Sequence, residues 1–102
     1  PFSADEAGSQ DFVKAYEAAY NEVPLQFGAG ADDAVYAIKA AAEKAGITPD
    51  MSVSDICDAM KTAMTEITVD GLTGAQMTWN AAGEPEKAPK AAKIVNGVYV
   101  MQ

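Results

Sequence analysis

Phe12, Tyr16 and Tyr20 recur at i, i+4 and i+8, with Val13 and Ala19 beside them, which is the spacing of one helix face. Pro24 disfavours a helical residue before it, so this first helix ends near Val23. Ser3-Ala4-Asp5-Glu6 fits a capping box at its start, and Ser9 is the alternative start. The stripe reads as a core face rather than a ligand-binding row of aromatics. Residues 25–30 read as a short apolar connector, with Gly28 and Gly30 as flexible points. A second helix follows over about 31–45. Asp32 and Asp33 sit in its first turn, where negative charge suits the helix dipole, and Val35, Ile38 and Ala42 form its apolar line. Gly46 is its stop signal. Ser52 or Ser54 then caps a third helix that carries Val53, Ile56, Cys57, Met60 and Met64 at helical spacing.

The last third changes period. Ile67 and Val69 begin an extended segment that leads into Gly71-Leu72-Thr73-Gly74. Ala75, Met77 and Trp79 then alternate with Gln76 and Thr78, as in a strand with one buried face. Asn80 to Gly83 turns the chain, and residues 84–93, with Pro85, Pro89 and three lysines, read as an exposed loop. Two apolar runs flank Asn96-Gly97, the strongest short-range signal for a hairpin. The pattern predicts α+β architecture, with three helices followed by a strand and a terminal β-hairpin.

Composition narrows the function. A chain of 102 residues with 49% hydrophobic and 22% charged residues is ordinary for one small globular domain. The net charge of −8 gives no electrostatic footprint for nucleic acid or an anionic membrane. Cys57 is the single cysteine, so no internal disulfide exists, and its helical setting predicts a small buried hydrophobe. No apolar run is long enough to span a bilayer, and no signal peptide is recognisable. With no histidine, neither a Ser/His nor a Cys/His pair can be assembled. No zinc pattern, EF-hand loop or P-loop is present. No catalytic residue, metal ligand or cofactor site is therefore assigned, and Asp32-Asp33 is expected to serve helix capping.

The order of these motifs resembles the C-terminal part of type I periplasmic binding proteins, the solute receptors of ABC importers for branched-chain amino acids. The features are Phe12/Tyr16/Tyr20, Asp33-Ala34-Val35, Gly71-Leu72-Thr73-Gly74, Trp79-Asn80, Gly83 and Asn96-Gly97. The resemblance covers most of the chain, from about residue 12 to 100. It implies an α/β receptor of two lobes, of which this chain is a C-terminal fragment. Residues 1–70 would form a helical part of the first lobe, and residues 71–102 a strand and hairpin near the hinge and second lobe.

By the same likeness, the receptor binds an amino acid or similar small solute by lobe closure, without chemistry, and delivers it to an ABC permease. Its location would be extracytoplasmic, in the periplasm or as a cell-surface lipoprotein. Phe27 occupies the place of an aromatic that touches the solute in leucine-type receptors; the other reading of Phe27 is a core plug between two helices. The tyrosine usual before the aspartate is here Asp32, which departs from a simple leucine-type pattern. The main ligand-gripping positions lie outside this chain. Two other readings are a ligand-sensing domain of a signalling receptor and a small α+β protein-interaction module. A severed lobe is expected to self-associate through the surface that its missing portion covers.

Overall fold

A computed structural model describes residues 2–102. A 3-10 turn at Ala7–Ser9 leads into α1, Gln10–Tyr20. Ser9 is the N-cap residue, although its side chain makes no capping bond. The Ser3 capping box does not form as such: Ser3 holds a turn, in which its carbonyl accepts from the Glu6 amide and its hydroxyl from the Asp5 amide at 3.4 Å. Asn21 takes the left-handed conformation (φ 54°) and ends α1 three residues before Pro24. Phe2, Phe12, Tyr16 and Tyr20 form a ladder of ring contacts with centroids 5.9, 5.8 and 4.7 Å apart. Only its lower rungs are partly covered, since Tyr20 is exposed and Val13 is the residue of α1 that is buried.

The second helix, α2, runs Gln26–Ala45. The stretch expected to be a connector is therefore, from Gln26 on, the start of α2, and Asp32 and Asp33 lie well inside the helix. Leu25 at the N-cap offers no capping side chain, and Gly28 and Gly30 are poor helix formers. Packing overrides both signals. Pro24 and Ala29 are buried, and a Cβ on Gly28 would touch the Tyr16 ring at 3.5 Å. The C-terminus follows the sequence pattern, with Gly46 at φ 65° and its N–H returned to the Ala42 and Glu43 carbonyls.

The third helix, α3, covers Val53–Met64, with the Ser52 hydroxyl accepting from the Asp55 amide at 3.1 Å. It packs against α2 around Ala37, Ala41 and Ala63, and Ile67, Val69 and Met77 complete that core. The inward face of α2 is Ala29, Asp33, Ala37 and Ala41. The expected line of Val35, Ile38 and Ala42 is a different face, and Val35 and Ile38 stand exposed. On α3 the packed residues include Met60, Ala63 and Met64. Cys57 falls off that face and is exposed, contrary to the buried position its spacing suggested.

Val69 and Met77 pair across a loop, each amide donating to the other's carbonyl at 2.9 and 2.8 Å. The regular strand is shorter than its alternation predicts: β1 is Thr78–Trp79. It pairs antiparallel with β2, Pro85–Glu86, inside the stretch expected to be wholly loop. Strands β3, Ala92–Val95, and β4, Val98–Met101, form the terminal hairpin. Asn96 (φ 50°) and Gly97 (φ 80°) make its turn, both positive as a type I′ turn requires. The hairpin stands almost wholly exposed.

Candidate functional site

The N-terminal half of α2, the end of α3 and the segment from Thr73 to Lys87 enclose an open cleft of about 480 Å³. Ala34, Ala37, Ile38, Met77 and Trp79 give it apolar walls. Its polar groups converge on one buried carboxylate. Asp33 accepts from the Leu72 amide (2.7 Å), the Thr73 amide (2.9 Å) and the Thr73 hydroxyl (2.6 Å). The Thr73 oxygen in turn accepts from Lys87 Nζ at 2.9 Å. A carboxylate removed from water must find donors, and the loop 71–74 supplies them.

This arrangement explains why the loop carries glycine. A Cβ on Gly71 would stand 2.5 Å from Asp33 Oδ1 and 2.6 Å from its Cγ, so only a hydrogen fits. Asp33 is thus a clamp between α2 and the loop, not the helix-capping charge expected of it. Its signal was present in the chain: it occurs at i+4 from Ala29 and i−4 from Ala37. A lone carboxylate on a stripe of small buried residues needs partners, and the amides of a Gly-x-x-Gly loop can provide them. Lys87 had no comparable signal.

Phe27, the proposed solute contact, lies in the first turn of α2 and lines the cleft with 89% of its surface exposed. It is not a plug between helices. Asp32 makes no part of the clamp itself and lines a second depression with Asp11, Tyr36 and Asp70, to which Asp33, Gly71 and Leu72 also contribute. Partial burial, with the neighbouring Asp33 charge added, raises the Asp32 pKa above its ordinary value. Asp70 shifts the opposite way, because it accepts from the backbone and side-chain amides of Gln76. Those bonds hold Gln76 at φ 51°. Among the described residues, no three His, Cys, Asp or Glu side chains gather where they could hold a metal ion. No helix among them is long and apolar enough to cross a membrane.

The profile of the family described as periplasmic binding protein matches residues 1–100. The chain belongs to that family. Among solved structures, an ABC transporter substrate-binding protein from Desulfitobacterium hafniense superposes with a TM-score of 0.72 at 17% sequence identity. The likeness takes in 99% of this chain and 29% of that protein, so the chain spans less than a third of its structural relative. No curated protein matches the sequence significantly. The family and the α+β architecture thus agree with the sequence reading.

Proposed function

We propose that this chain is the C-terminal part of an extracytoplasmic receptor that binds an amino acid or related small solute and delivers it to an ABC permease. The family match over residues 1–100 supports this reading most strongly. Residues 1–70 belong, on this view, to the first lobe, and residues 71–102 approach the hinge and second lobe. Solute binding then favours the closed state because only closure surrounds the solute with both lobes. No bond is made or broken. The site described above contains no histidine, and its polar groups are engaged in holding the loop 71–74 to α2.

Phe27 is the residue of this chain assigned to the solute. An aromatic ring held out at the start of a helix costs stability in isolation, and it gains a role if an apolar part of the solute covers it. In the complete receptor, Phe27→Ala is expected to weaken binding about tenfold, about 1.4 kcal/mol, while shifting the melting midpoint by less than about 2 °C. Calorimetric titration against a panel of amino acids, beside thermal unfolding, reads both quantities. Unchanged affinity with a lowered melting temperature would remove Phe27 from the site. Binding of a sugar but of no amino acid would overturn the assigned solute class.

A further inference from the structure

Lys87 is held at the cleft by a built arrangement. Strand β2, Pro85–Glu86, pairs with β1, and the Glu86 carboxylate accepts from the Thr78 hydroxyl of that partner at 3.5 Å. Lys87 follows directly and lies against the loop 71–74. A Cβ on Gly74 would stand 3.2 Å from Lys87 Cβ and 3.0 Å from Met77 Cγ, so the second glycine of the Gly-x-x-Gly loop is what admits the lysine stem. Its Nζ then donates to the Thr73 hydroxyl oxygen at 2.9 Å, on the wall of the cleft. An ammonium carries three hydrogens, and this one commits a single hydrogen to a neutral oxygen. Asp33 does not require its charge, because three donors of the loop already fill that carboxylate. Among the described residues the ion pairs are Lys39–Glu43, Lys44–Glu66 and Lys90–Glu6, and Lys87 is in none of them. Of the two charged residues that line the cleft, one is satisfied and the other has donors to offer.

We propose that Lys87 binds a carboxylate on the side chain of the solute, which makes the solute an acidic amino acid. The proposal rests on the receptor reading above. On that reading the main gripping positions lie outside this chain, so the part of the solute that reaches this cleft is its side chain. A carboxylate that enters a cleft walled by Ala34, Ile38 and Trp79 must find donors. The two ammonium hydrogens not committed to Thr73 supply them, with the matching charge. Phe27, on the same cleft, is left to the methylenes. A neutral side chain would instead shut Lys87 away from water with no acceptor, and that cost turns an attractive contact into discrimination. An amide of the same shape fills the volume but does not answer the charge.

The test is calorimetric titration of the complete receptor with L-glutamate, L-glutamine and L-leucine. The unaltered receptor is expected to bind glutamate at least about tenfold more tightly than either neutral amino acid. Lys87→Gln and Lys87→Met both remove the charge, the first keeping an N–H donor for Thr73, and both are expected to erase that preference. A purely structural lysine would behave differently: Lys87→Met would weaken all three ligands alike and lower the melting temperature more than Lys87→Gln, which would overturn the assignment. An unaltered receptor that prefers any neutral or basic amino acid would also overturn it while leaving the receptor reading intact, and that comparison needs no variant to fold. A receptor that binds no amino acid at all would remove the amino-acid reading and this proposal together.

Discussion

Asp33 joins two segments 40 positions apart in sequence through three hydrogen bonds, and its replacement has a defined consequence. Asp33→Asn presents at most one oxygen to three donors and sets an amide against the Leu72 or Thr73 N–H. We expect a loss of about 1.5–3 kcal/mol, measured by chemical denaturation. Gly71→Ala should be destabilising for the complementary reason, since its methyl meets the same carboxylate. Two other aspartates set a pH dependence of opposite sign. The Asp70 pKa is lowered by its Gln76 bonds, so their contribution is present above the ordinary 3.8 and is lost as pH falls through the lowered folded value. The Asp32 pKa is raised by burial and by Asp33, so its ionised form opposes folding until pH falls through that raised value. Asp32→Asn is therefore expected to stabilise the protein at pH 7, with the gain vanishing in acid. Denaturation curves at neutral and acidic pH check this; a gain that persists in acid would contradict it.

At the scale of elements, packing decided what local propensity could not. The start of α2 lacks a capping side chain and contains Gly28 and Gly30, yet the helix forms because Pro24, Ala29 and Tyr16 close around it. The ends governed by backbone conformation were legible: Gly46 stops α2, Ser52 caps α3 and Asn96-Gly97 turns the hairpin. Such signals are local, and the same residues would act alike in most settings. Gly97→Ala is expected to cost about 1 kcal/mol, because φ 80° is natural to glycine and strained for alanine. Loss of the cross-strand amide shifts of β3 and β4 would report it by NMR. The faces of α2 and α3 were harder to read. Alanine is a weak hydrophobic signal, so the pattern favours Val35 and Ile38 although Ala37 and Ala41 take the core. Cys57 was misplaced for the same reason.

The whole molecule is extended, 52 × 29 × 18 Å, with a radius of gyration of 16.2 Å against about 13 Å for a compact domain of this size. Large apolar side chains are exposed along α2 and throughout the hairpin, while half of the buried apolar residues are alanines. Such a body leaves more apolar surface to water than a monomer ordinarily does. The isolated 102-residue chain is expected to self-associate, with its sedimentation coefficient rising with concentration. A single monomeric boundary at all concentrations would show that these surfaces need no cover.

The order and number of helices, their C-terminal stops, the closing hairpin and the family were determined by the sequence itself, through periodicity and turn chemistry that act over a few residues. Tertiary structure alone decided which of two apolar faces of α2 meets α3, and that Phe27 begins a helix rather than a connector. It also decided that Asp33 clamps the loop 71–74. Each of those outcomes depends on partners far apart in the chain. Where an alanine face competes with a valine and isoleucine face, or a buried carboxylate must find its donors, the choice is made by close approach of backbones, which no local pattern encodes.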